Sequence, residues 1–171
     1  MLAELSLLVL CVLQIATALS NITIDDQDER INYVPSSSWH RVEGRNWDIG
    51  GGHMLSENTD AYAEITMTCM CPTSSSTSGL WTHMRLVVSS FYFYSALYPY
   101  GIMTDIFLDG ILIKTADLQD YDSTDDGSGG GTVASAIVAS FTGTTSKQHT
   151  IRVGIPSGED IPGYAVVDAF L

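Results

Sequence analysis

Positive charge is what this chain has least of. Its 171 residues hold 7 Lys and Arg against 20 Asp and Glu, a formal net charge of −13. Nucleic-acid binding depends on clustered Lys and Arg that neutralise phosphates, so this balance excludes nucleic acid as a partner and argues against anionic lipid. Cysteine is scarcer still, with 3 in all. Cys69 and Cys71 stand two apart, where a bridge would close a small, strained ring, so no disulfide framework is expected. With His83 they still lack the fourth ligand that structural zinc needs, so they read as incidental thiols in an irregular segment. Helical periodicity is missing as well: no segment carries about twelve residues of a 3.6-residue apolar pattern. Neither H-E-x-x-H nor a G-x-S-x-G elbow occurs, and His40, His53, His83 and His149 sit in unrelated contexts. No catalytic residue is assigned. Adjacent Asp25–Asp26 and Asp125–Asp126 would point to opposite faces of a strand, so each pair reads as solvated surface rather than as a glycosidase dyad.

Long apolar runs are confined to the start. Leu5 to Ile15 is apolar apart from Ser6 and Gln14, and Ala16-Thr17-Ala18 follows as a small-x-small cleavage pattern. Residues 1–20 therefore read as a secretory signal peptide, helical and too short to span a bilayer stably, although Glu4 stands where a basic residue is usual. The mature domain is then 21–171, secreted, and opens on an N-glycosylation sequon at Asn21-Ile22-Thr23. No later stretch of about twenty apolar residues offers a membrane anchor.

Beyond the signal, short alternating runs predict strands. Ala61 to Thr68 alternates with period two; Phe91-Tyr92-Phe93-Tyr94 puts two Phe on one face; Ile102 to Leu108 leads into Asp109-Gly110, a hairpin signal, with Ile111-Leu112-Ile113 returning. Ala134 to Phe141, His149 to Ile155 and Tyr164 to Leu171 follow, with Asn21 to Ile24 and Ile31 to Val34 as shorter candidates. About eight strands in roughly 150 residues predict an all-β antiparallel sandwich of two sheets, a jelly roll. Trp39 to His53 reads as a long Gly- and Trp-rich loop, and Asp117 to Gly131 as an acidic, then glycine-rich, surface loop.

The order of these motifs resembles a family of secreted fungal proteins built on a galactose-binding-like jelly roll. The likeness lies in Ile22-Thr23-Ile24-Asp25-Asp26-Gln27-Asp28, Ile31-Asn32-Tyr33 with Trp39, Gly50-Gly51-Gly52-His53, the Ala61 to Thr68 strand, the Phe91 to Gly110 block, Gln148 to Val153 and Tyr164 to Leu171. The resemblance implies the fold, and proteins that often carry tandem domains, a Ser/Thr-rich stalk and a membrane helix. One segment departs from the pattern. Where the family passes through a short glycine turn, residues 69–90 intervene as an irregular insert, read either as a natural insertion or as translated non-coding sequence.

Aromatic side chains carry the functional expectation, because sugar C–H faces stack on Trp and Tyr rings. Tyr98 and Tyr100 flank Pro99 in a stiff turn, and Trp39 and Trp47 flank the Gly-rich loop; all four are candidate ligand contacts, with plugging of the sandwich ends as the alternative. Asp120, Asp122, Asp125 and Asp126 are candidate calcium ligands, although their spacing misses the D-x-D-x-D-G frame and plain solvated loops are the alternative. The sequence thus points to a non-catalytic module binding extracellular glycan or cell-wall polysaccharide. A structural or adhesion ectodomain with protein partners comes second and a glycoside-active enzyme third. Sequencing the transcript across codons 69 to 90 tests the insert: an uninterrupted mature message rules out non-coding origin.

Overall fold

The computed structural model describes residues 22–44, 46–68, 90–125, 127, 130–142, 148–157 and 164–171. The signal segment, the sequon's Asn21 and, except for Ser90, the insert lie outside them. Among the described residues, twelve strands form an antiparallel jelly-roll sandwich of three sheets. A four-stranded sheet runs in the order β1 (Ile24–Asp25), β12 (Ala169–Phe170), β6 (Ser90–Leu97), β9 (Val133–Thr142). A five-stranded sheet runs β2 (Ile31–Val34), β5 (Tyr62–Thr68), β10 (Gln148–Gly154), β7 (Met103–Leu108), β8 (Ile111–Asp117). A three-stranded sheet holds β11 (Ala165–Val167), β4 (Gly52–Ser56) and β3 (His40–Glu43).

Period-two alternation builds the core. Phe91 and Phe93 of β6 turn inward and meet Phe170, with ring centroids 5.3 and 5.4 Å away. Ala63 and Ile65 of β5, Ile106 of β7, and Ile151 and Val153 of β10 meet them from the five-stranded sheet. The expected hairpin joins β7 to β8: Asp109 (φ 52°) and Gly110 (φ 79°) both take the left-handed conformation that a type I′ turn requires. Asp109 Oδ1 accepts from the Thr150 N–H at 3.0 Å, and Oδ2 lies 2.8 Å from His149 Nδ1, which ties the turn onto β10. β9 is a sheet-edge strand without a charged residue. Its edge is occupied by neighbours, because Ser135 N–H donates to Trp47 O at 2.8 Å and Lys114 of β8 reaches across to donate to Val138 O.

Two expectations are corrected. Segment 39–53 is not a long loop: β3 and β4 pair within it, Val42 opposite His53, around a 3-10 turn at Ile49–Gly51. β3 is half-exposed and lacks apolar alternation, so its pairing comes from tertiary context rather than from pattern. The sheets number three rather than two because the last run breaks at Asp168, where the chain leaves β4 for β1 and β6. After β8, Leu118 and Asp120 turn inward, while Tyr121, Asp122, Thr124, Asp125 and Gly127 are exposed as in a surface loop.

Truncating Phe93 removes a fully buried ring from the face where β6 and β12 meet. Phe93→Ala is expected to cost roughly 3–5 kcal/mol in urea denaturation, whereas exposed Ile111→Thr is expected to stay within about 0.5 kcal/mol.

Candidate functional site

One end of the three-stranded sheet opens into a cleft of about 380 Å³, lined by Val42, His53, Leu55, Tyr100, Asp125, Gly127 and Tyr164. Strand alternation supplies its floor. Val42 lies opposite His53 in the β3–β4 register and Leu55 follows two residues on, whereas Arg41 and Glu43 pair with each other and with Asp26 instead. Tyr100 and Tyr164 form an aromatic wall, their rings edge-on with centroids 6.3 Å apart. Asp125 adds a carboxylate whose Oδ1 accepts from the Gly127 N–H at 2.8 Å. The cleft thus joins an apolar floor, two aromatic rings and a few polar groups, the composition of a small-ligand site.

His53 is fixed from behind. Its Nδ1 lies 2.7 Å from Asp48 Oδ2, and both side chains are almost fully buried. A carboxylate only accepts, so Nδ1 donates and the ring is held in one orientation. Tyr98 backs the same ring edge-on, with centroids 5.7 Å apart.

Beneath His53 runs a buried seam of carboxylates. Asp168, between β11 and β12, accepts from the Ile49 N–H at 2.9 Å and from the Ser135 hydroxyl. Burial, with added repulsion from Asp48 and Asp25, pushes its carboxyl up to about 7 against the opposing Ser135 and Ile49 hydrogen bonds. Burial also raises the carboxyl of Asp26, against the Arg41 guanidinium, which donates to Oδ2 at 2.9 Å. One oxygen each of Asp25, Asp26 and Asp48 is buried with no hydrogen-bond partner. Gly50 (φ 73°) is obligatory here: a Cβ on it would stand 2.4 Å from Asp25 Oδ2. Asp25 and Asp26 are therefore not the solvated pair expected from sequence, since Asp26 is wholly buried.

The structure separates the expected contacts. Tyr100 lines the cleft. Tyr98 is fully buried behind Tyr100, their centroids 5.8 Å apart, and so supports the wall without presenting a face of its own. Trp39 is a core plug, buried against Tyr33 with centroids 5.0 Å apart. Trp47 is 49% exposed but lies outside the cleft lining, beside β9. Of the aspartates considered for calcium, Asp126 lies outside the described residues. Asp120 turns inward and is committed to Thr132 Oγ1 (2.6 Å) and the Asp122 N–H (3.1 Å), while Asp125 faces the cleft. Among the described residues no group of three His, Cys, Asp or Glu is placed to hold a metal ion. Sequence reasoning missed His53, Tyr164 and the Asp48–Asp168 seam. The Gly50-Gly51-Gly52-His53 run was their one visible signal.

No known family matches the chain, and no curated protein matches it. Among solved structures it is similar to an exo-β-1,3-galactanase from Phanerochaete chrysosporium with galactose (TM-score 0.51, 16% identity, covering 89% of this chain and 29% of that one). It is also similar to a cycloisomaltooligosaccharide glucanotransferase from Paenibacillus sp. complexed with cycloisomaltoheptaose (TM-score 0.52, 10% identity, covering 90% and 18%). The chain spans less than a third of either protein's length. At these identities the likeness is one of fold, the jelly-roll sandwich.

The seam makes stability pH-dependent. The folded state holds a proton on Asp168 up to about pH 7, whereas the unfolded chain releases it near its ordinary value of 3.8. Stability is therefore fullest below about pH 4 as far as this group is concerned, and it declines as pH rises through 7. The decline is on the order of 4 kcal/mol. Urea midpoints measured at pH 5 and pH 8.5 are expected to show roughly 3 kcal/mol of this fall, the part lying between pH 5 and 7, and Asp168→Asn to flatten most of it. Equal midpoints in the unmutated protein would remove the proton from Asp168.

Proposed function

We infer that this chain is a non-catalytic, extracellular glycan-binding module that holds a sugar in the Tyr100–Tyr164 cleft. The observation that carries this reading is the cleft itself. Two edge-on tyrosine rings stand over an apolar floor, with Asp125 and an oriented His53 within the same lining. Such walls suit the C–H faces of a pyranose, and the polar groups suit its hydroxyls. The fold supports the reading, because proteins named for galactan and cycloisomaltooligosaccharide chemistry carry it as less than a third of their chains. The secretory leader and the motif resemblance to secreted fungal jelly-roll proteins support an extracellular site. Binding is favoured over hydrolysis because Asp125 is the single carboxylate among the described lining residues, whereas glycoside hydrolysis commonly uses a facing pair.

A glycan panel that includes galactose, β-1,3-galactotriose and cycloisomaltoheptaose, read by calorimetry on the mature chain, tests this. Saturable binding is expected, weakened roughly tenfold or more in both Tyr100→Ala and Tyr164→Ala and unchanged in Trp47→Ala. Binding that survives both tyrosine truncations would move the site elsewhere. Absence of binding across the panel would favour the protein-binding ectodomain instead.

A further inference from the structure

We propose that the sugar residue this cleft selects carries a protonated amine, so that 2-amino sugars bind in preference to neutral sugars and uronates. The proposal rests on the glycan-binding reading above and goes further by assigning the charge of the ligand.

Three features converge on that charge. The cleft contains a carboxylate that no described residue neutralises: Asp125 is exposed, and among the described residues its hydrogen bond comes from the Gly127 N–H. No Lys or Arg stands among the described lining residues. The cation nearest in sequence to the floor, Arg41, is tied to Asp26 and Glu43. Beside this carboxylate, Tyr100 and Tyr164 supply two π systems, whose negative faces attract an ammonium group but offer nothing to an anion. The whole chain adds a long-range field of the same sign, at a formal net charge of −13.

Each ligand class then meets a different balance. A uronate would bring a second carboxylate beside Asp125 and be repelled. A neutral hexose would satisfy Asp125 with hydroxyl donors and gain no net attraction between charges. An amino sugar would place N–H donors on the carboxylate as charge-assisted hydrogen bonds, with the ammonium also facing the aromatic wall.

The test compares four tetrasaccharides of equal length by calorimetry at pH 6 and about 150 mM salt: glucosamine, N-acetylglucosamine, galactose and galacturonate. N-acetylation removes the charge from one ligand without touching the protein, so this arm does not depend on any variant folding. The glucosamine tetramer is expected to bind at least about tenfold more tightly than its acetylated counterpart. Asp125→Asn is expected to remove that preference, while Glu29→Gln, which deletes an exposed charge outside the cleft lining, keeps it. Equal binding of the glucosamine, N-acetylglucosamine and galactose tetramers would overturn the proposal and leave the glycan-binding reading standing. A preference weakened alike by Glu29→Gln and Asp125→Asn would mark a general attraction to an acidic protein, and would also overturn it. Failure of all four to bind would sink both.

Discussion

Everything around the cleft depends on one buried carboxyl, that of Asp168. It sits at the only residue between β11 and β12, where the chain stops pairing with β4 and begins pairing with β1 and β6. Its two oxygens accept from the Ile49 turn and from Ser135 on β9, so one side chain ties together segments more than a hundred residues apart in sequence. Hydrogen bonds to a buried acid make burial tolerable, and the proton that the group retains lowers the repulsion from Asp48 and Asp25. A strand that changes sheets needs such a fastening, because the ladder is interrupted at the point of crossing.

The same seam orients the histidine in the cleft lining. Asp48 lies close enough to Asp168 to repel it, and on its other side it grips His53. Rigid support of this kind places a polar group in the cleft at little further entropic cost, which is how a shallow sugar site gains selectivity without depth. Tyr98 contributes in the same way from within the core, packing behind both His53 and Tyr100.

Much of the scaffold was legible in the sequence, because burial on one face writes a period of two. Phe91 and Phe93, Ile151 and Val153, and the Asp109-Gly110 turn all lie where alternation and turn chemistry put them. The β3–β4 pair was not legible: His40–Glu43 carries little apolar pattern, and its strand exists because Val42 and Arg41 find partners on β4. Nor was the inward turn of Asp26 and Asp168, since a carboxylate among other aspartates reads as solvated until the fold closes over it. Tyr98 and Tyr100 show the limit most simply. Two tyrosines around one proline look equivalent, yet backbone bonds from Tyr98 to Leu118 and Asp120 draw the first inward and leave the second on the rim. Of the cleft's lining, the sequence singled out Tyr100 as a ligand contact and Asp125 as a calcium ligand, but neither the hairpin floor nor the Tyr164 wall.

The pairing of β1 with β12 sets an order in time as well as in space. The first described strand to leave the ribosome has as its ladder partner the last, and β12 also lies between β1 and β6. During vectorial synthesis neither the four-stranded sheet nor the Asp168 crossing can close until Ala169 and Phe170 have emerged. The Phe91 and Phe93 face must therefore stay unsealed from the time it emerges until β12 arrives beside it.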